Sequence, residues 1–153
     1  LWECNFKYLY WYNTVNIEYT KNPATSDTDF LTKQINQETS EYGEAYPFAF
    51  FIRNDAAEII AGANGFVIYG AIYTDQLWVD KDYRGQGFAK KIMDKVHEFG
   101  KLEGCKIATV QTMSFQGAQS FYEKLGYVQD FKRAGYVNGS NCIFMRKGLH
   151  DAN

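Results

Sequence analysis

Proline, histidine and cysteine are all scarce in this 153-residue chain, with two, two and three positions. The cysteines, Cys4, Cys105 and Cys142, are odd in number, and no pair has metal-ligand spacing. Reduced thiols in a cytoplasmic setting are therefore expected, with neither a disulfide framework nor a metal site. A nucleophilic cysteine would want a histidine beside it. His97 falls at the edge of a helical apolar stripe and His150 in the tail, so packed or solvated roles are expected for them. No apolar run reaches the ~20 residues that cross a bilayer, and the N-terminus lacks the basic-then-apolar order of a signal peptide. No membrane partner is expected. The chain opens at Leu1 rather than Met, which leaves its natural start open. Excess charge is also lacking: 16 basic against 18 acidic residues give a net of −2. That is no electrostatic footprint for nucleic acid.

What is abundant is apolar and aromatic. Apolar residues make up 46% and aromatics 18%, enough for one globular domain with its own core. Charge is unevenly spread. Residues 1–80 carry four Lys/Arg against eleven Asp/Glu, a net of −7, while residues 81–153 carry twelve against seven, a net of +5. An acidic half would favour a cationic co-substrate; chance clustering of solvated charges explains the same numbers equally well.

Residues 1–13 alternate, with Trp2, Cys4, Phe6, Tyr8, Tyr10 and Tyr12 on one face. That is strand periodicity. It fits an extra edge strand, a homodimer contact or cloning residues, and we set it apart as an N-terminal extension. The expected domain, 14–148, opens with a strand at 15–20, broken by Asn22-Pro23. Ser26 or Asp27 is placed to cap a helix to about Glu41, with Phe30, Leu31, Ile35 and Tyr42 inward. Strands follow at 47–53, 58–69 and 71–80, joined by tight turns at Asn54-Asp55 and Gly70. Gly62 and Gly65 inside the second suggest a bulge or a close backbone approach. A helix at 87–103 crosses to a strand at 106–113 that should run parallel to 71–80. A helix at 116–125 stops at Gly126, and strands at 127–131 and 142–147 finish the chain. The expected class is α+β: a mixed sheet, mostly antiparallel with one parallel strand pair, flanked by helices.

Residues 77–103 carry the strongest local signal. Leu77, Trp78 and Val79 read as a strand end, and Asp80 and Asp82 as turn formers. Then come Arg84, Gly85, Gln86, Gly87, Phe88 and Ala89 at the mouth of a helix whose apolar positions recur at Ile92, Met93, Val96 and Phe99. The first amides of a helix have no internal partner, and its dipole leaves that end partly positive. Glycines there let an anion approach, and Arg84 adds a full charge. An ordinary tight strand-to-helix turn explains the glycines as well. A dinucleotide fingerprint would need Gly at 90, where Lys90 stands, and a phosphate-loop Lys-Ser/Thr is absent.

Arg84-x-x-Gly87-x-Ala89 resembles the acyl-CoA loop of the GNAT (general N-acetyltransferase) superfamily. A second block, 115–128, FQGAQSFYEKLGYV, is similar to that family's later helix. Leu77-Trp78-Val79 also resembles a subgroup reading Leu-Trp-Val before the loop. The resemblance covers roughly 47–147. It implies a splayed strand pair and acetyl-CoA as co-substrate, held by Leu77, Trp78, Val79, Arg84, Gly85, Gln86, Gly87, Phe88, Ala89 and Gln111, with Tyr122 near the thioester. It implies acetyl transfer to a primary amine of a small molecule or peptide, with no metal. Tyr122 takes the general-acid position; by helical period alone it reads as core. Asp75, on the central strand, is the base we name, with Glu38 and Glu44 as rivals. Glu38, Glu41 and Glu44 are candidate contacts for a cationic acceptor, or equally a solvated face. Thr112 is placed to line the cleft with Gln111. Phe115 and Gly139-Ser140-Asn141 depart from the family pattern, which bears on the acceptor more than on the cofactor. A non-catalytic acyl-CoA-binding module of the same fold is the alternative; a different nucleotide-dependent enzyme is a third reading.

Overall fold

The computed structural model describes residues 17–150. The alternating stretch 1–13 lies outside the described residues, as do the first two positions of the strand expected at 15–20. The described part of that strand, 17–20, is not a strand, and Ile17 and Tyr19 are exposed. Strand propensity is realised only where a pleated surface finds a partner.

Helix α1 spans Thr25–Glu38, and a single 3-10 turn, Ser40–Tyr42, follows it. Neither expected cap is used. Ala24 is the N-cap without a side-chain bond, and Asp27 stands in the first turn, where its charge suits the helix dipole. The expected inward face is overturned too, because Phe30, Leu31, Ile35 and Tyr42 are all exposed. Polar bonds hold this helix instead. Asn36 donates from Nδ2 to Ala45 O (2.9 Å) and accepts from Ala45 N–H (2.8 Å). The Thr39 hydroxyl meets the Tyr69 phenol at 2.9 Å. These bonds turn the apolar stripe outward. Periodicity identifies such a stripe but not what it faces.

Among the described residues there are six strands, β1 (Tyr46–Arg53), β2 (Ile59–Ile68), β3 (Ala71–Val79), β4 (Ile107–Met113), β5 (Val128–Arg133) and β6 (Cys142–Gly148). They form one mixed sheet in the order β1-β2-β3-β4-β6-β5. All neighbours are antiparallel except β3 and β4, which α2 (Phe88–Leu102) joins as a parallel crossover. The turn from β2 to β3 uses Tyr69 and Gly70, both at positive φ.

One face of the sheet is packed. Ile92, Met93 and Val96 of α2 bury against Ala61, Ala63, Val67, Ile72, Ala108 and Val110. Gly100 brings α2 close to β3, since a Cβ there would lie 2.8 Å from Ile72 Cγ2. The short α3 (Gln119–Lys124) starts later than expected. Gly117, at φ 67°, separates it from a 3-10 turn at Ser114–Gln116. It stops where Gly126 adopts φ 88°. Phe66 pairs with Tyr73, and Tyr73 with Thr109. These alternate with the buried set, so they point to the face away from α2.

The parallel pair opens partway. β3 and β4 are paired from Ala71↔Ile107 to Thr74↔Val110, and β3 then runs on to Val79 and β4 to Met113 without pairing to each other. A bulge coincides with the parting. Asn64 faces Gln76 and Gly65 faces Thr74, which leaves Asp75 as the extra residue of β3. A bulge bends its strand and strengthens the local twist. Among the described residues, no helix is long and apolar enough to cross a membrane.

Candidate active site

The opening between β3 and β4 is a cleft of about 670 Å³. Asp75, Leu77, Trp78 and Val79 line one wall, Gln111 and Thr112 the other, and Gln116, Ala118 and Tyr122 close the α3 end. Along Leu77–Val79 the strand pairs with Ala61–Ala63 of β2 on one side and faces the cleft on the other. Its backbone groups on that side are available to an extended ligand.

At the cleft mouth stands the start of α2. Its N-cap is Gly87, left-handed at φ 80°, and no side chain caps it. The first intrahelical bond runs from Lys91 N–H to Gly87 O at 3.0 Å, so the amides ahead of it have no helical partner. Gly85, Gly87, Phe88 and Ala89 line a neighbouring cavity of about 360 Å³. Gln86 is exposed and lies outside that lining. Val79 and Arg84 belong to both cavities. Arg84 donates from Nε to Val79 O at 3.0 Å, which anchors the guanidinium at the junction. Residues 84–87 are exposed. Together this is an open seat for an anion, continuous with the cleft.

Tyr122 is buried with its rings edge-on to Phe121 (5.2 Å) and Tyr127 (5.6 Å). Burial raises its phenol above the usual value, so it keeps its proton at neutral pH. Behind it, His97 Nε2 and the Tyr127 hydroxyl lie 2.9 Å apart. Asp75 is exposed on the opposite wall and accepts a hydrogen bond from the Tyr73 phenol at 3.0 Å. Burial, and then that bond, push the Tyr73 phenol up to about 12.

Other side chains in and beside the cleft carry no signal in the sequence pattern. Gln116 accepts at Oε1 from both the Thr112 hydroxyl (3.1 Å) and the Met113 amide (2.8 Å), which ties the α3 approach to β4. Asn64 donates from Nδ2 to Gln76 Oε1 at 2.8 Å across the bulge. The extra residue between Thr74 and Gln76 breaks strict alternation, so no period of two reveals that pairing.

The three glutamates are dispersed. Glu44 lines a cavity beneath α1 that reaches Pro47; Glu38 and Glu41 do not. Asp80 shapes the turn before the loop, its Oδ1 accepting from Asp82 N–H at 2.9 Å. Cys105 and Cys142 are free and buried; Cys4 lies outside the described residues.

Comparison with known proteins gives concordant results. A family model described as the acetyltransferase (GNAT) domain matches residues 47–129. Acetyltransferase Atu2258 from Agrobacterium fabrum is 28% identical over 96 residues, which is 63% of this chain and 69% of that protein. The crystal structure of an acetyltransferase from Bacillus cereus superposes with a TM-score of 0.67 at 20% identity, over 86% of this chain and 97% of that one. A Bacillus anthracis structure in complex with acetyl coenzyme A superposes with a TM-score of 0.61 at 18% identity, over 67% of this chain and 62% of that one. At these identities the structural likeness is one of fold.

Proposed function

Since the chain belongs to the GNAT acetyltransferase family, we propose that it transfers an acetyl group from acetyl-CoA to the nitrogen of a primary amine. One observation carries this reading: the unpaired amides at the start of α2 open into a cavity that adjoins, at Val79 and Arg84, the gap lined by Tyr122 and Asp75. A diphosphate would sit on the loop 84–89, and the pantetheine arm would run along the free side of Leu77–Val79. The sulfur end would then reach the cleft between Tyr122 and Asp75. The acetyl-CoA complex of the Bacillus anthracis fold relative supports that donor.

The residues then divide the work. An ammonium has a pKa near ~10 and must lose a proton before it attacks. Asp75 takes that proton, directly or through one water, because it is the carboxylate on the cleft wall. The amine nitrogen forms its bond to the thioester carbon, and the carbon–sulfur bond breaks. An amide N–H of Leu77–Val79 steadies the developing oxyanion. Tyr122 donates its phenolic proton to the departing sulfur and is reprotonated from solvent. The balance is acetyl-CoA and ammonium to amide, free thiol and one proton. Glu38, Glu41 and Glu44 supply an acidic approach for the cation, with Glu44 lining the cavity that reaches Pro47.

Tyr122→Phe is the direct test. General-acid loss should cut kcat by ~100-fold or more, while the Kd for acetyl-CoA stays within about twofold by calorimetry. Undiminished kcat would remove Tyr122 from the mechanism. A wild-type protein that binds acetyl-CoA but acetylates no amine would be the non-catalytic module instead.

A further inference from the structure

A second cavity, of about 380 Å³, adjoins the cleft on the face away from α2. Its lining divides sharply. Pro47, Phe48, Ala49, Gly65 and Phe66 contribute no charge and no side-chain hydrogen-bonding group. Among the described residues, the two polar ones in the lining, Asn64 and Asp75, both sit on the cleft side: Asp75 lines the cleft too, and the Asn64 amide is bonded to Gln76, which does as well. Gly65 fixes how closely β2 approaches β3 beneath it, since a Cβ there would lie 1.9 Å from Tyr73 O. Ala49 and Phe66 are both exposed, so their side chains are free to meet a ligand.

We infer that this cavity is the acceptor subsite, and that it takes a primary amine carried on a compact apolar body such as a single aromatic ring. The inference rests on the transferase reading above and adds the acceptor's chemistry to it. Asp75 is the hinge of the argument, because it belongs to both spaces. An amine lodged with its apolar end between Pro47, Ala49 and Phe66 presents its nitrogen to Asp75, at the edge of the gap where the thioester would lie. Size agrees: a cavity of ~150 Å³ already holds benzene. Polarity agrees as well, since ligand sites are mostly apolar with a few placed polar groups. A polyamine or a sugar amine would leave its further charges or hydroxyls against Pro47 and Phe66 without partners, which is costly. The chemical step is the one already balanced, with the amine nitrogen acylated, free CoA thiol released and one proton lost.

The test compares phenethylamine, ethylamine and spermidine as acceptors with the full chain, read as free thiol released. Phenethylamine should exceed spermidine in kcat/KM by tenfold or more. Ala49→Leu, which fills the cavity, and Phe66→Ala, which removes its wall, should each lower the phenethylamine-to-ethylamine ratio of kcat/KM by at least fivefold. The two variants change volume in opposite senses, so a folding defect in one leaves the other to decide. Spermidine turned over as well as phenethylamine, or a ratio unchanged in both variants, would overturn the inference and leave the transferase reading intact. Failure of all three amines in a protein that still binds acetyl-CoA would overturn this inference, and failure of a wider panel of amines, antibiotics and peptides as well would overturn the transferase reading.

Discussion

His97 lies in the core, its Nε2 2.9 Å from the Tyr127 hydroxyl. Burial above all, and then the nearby charge of Lys147, lower it from 6.5 to about 4. A histidine depressed in this way is neutral in both folded and unfolded chains above pH 6.5. As pH falls below 6.5 the unfolded chain gains a proton that the folded one refuses, so stability is lost until about pH 4. His97→Gln removes that titration. Between pH 7 and 4.5 the wild-type Tm should fall further than the variant's by about 5–10 °C, the shift that ~2.5 kcal/mol, one proton's difference over about two pH units, produces in a chain of this size. Equal pH slopes in differential scanning would mean that His97 is charged in the native state. The sequence placed His97 at the edge of a stripe, and the packed reading of it was available there. Its phenol partner was not, because Tyr127 is 30 residues away and local spacing carries no information about such pairs. Tyr122 shows the same limit from the other side. Its helical period and its burial agree with a core aromatic, and only the two-block resemblance raises a chemical role for it.

Element by element, the strands were the most legible part. The expected 47–53 and 71–80 differ from β1 and β3 by one residue at one end each. A continuous apolar run that stops at Asn54-Asp55 bounds the first, and the turn at Gly70 fixes the start of the second. Helix α1 was the least legible, because its bonds through Asn36 and Thr39 are specific polar contacts that no hydrophobic pattern encodes. The splayed strand pair came from the resemblance, not from periodicity. What the residues did signal was Gly62 and Gly65, and the two differ in kind. A Cβ at Gly65 would lie 1.9 Å from the Tyr73 carbonyl oxygen, beside the bulge that displaces Asp75. A Cβ at Gly62 would meet the exposed Phe51 ring at 2.8 Å, which can swing away, and the Phe50 carbonyl oxygen at 3.1 Å, which need give by only a few tenths of an ångström. Gly65→Ala should therefore cost about 2–3 kcal/mol or more, a Tm drop of roughly 5–10 °C. Gly62→Ala should cost under about 1 kcal/mol. Equal losses in chemical denaturation would show that the bulge tolerates a side chain and does not fix β3.

At the scale of the whole molecule, the uneven charge acquires a geometry. Residues 1–80 carry a net of −7 and residues 81–153 a net of +5. The sheet divides at almost the same point, with β1, β2 and β3 on one side of the cleft and β4, β6 and β5 on the other. The loop at 84–89, proposed to seat the diphosphate, opens the basic half. Glu38, Glu41 and Glu44 belong to the acidic half, all three exposed. No single exposed carboxylate contributes much to binding. Their effect is a summed field that raises the local concentration of a cation. Such a field has a signature that a contact does not. Its range shrinks from ~10 Å at 0.1 M salt to about 3 Å at 1 M. Changing all three glutamates to glutamine should raise the KM for an amine acceptor about two- to fivefold at 0.05 M NaCl. At 1 M NaCl the variant and wild type should converge, with kcat unchanged at both. A KM ratio that persists in high salt would instead mark one glutamate as a direct contact, with Glu44 first to examine because it lines the cavity reaching Pro47. A ratio of one at both salts would mean that the acidic half is only a solvated surface, and that Asp75 meets its amine without help from a distance.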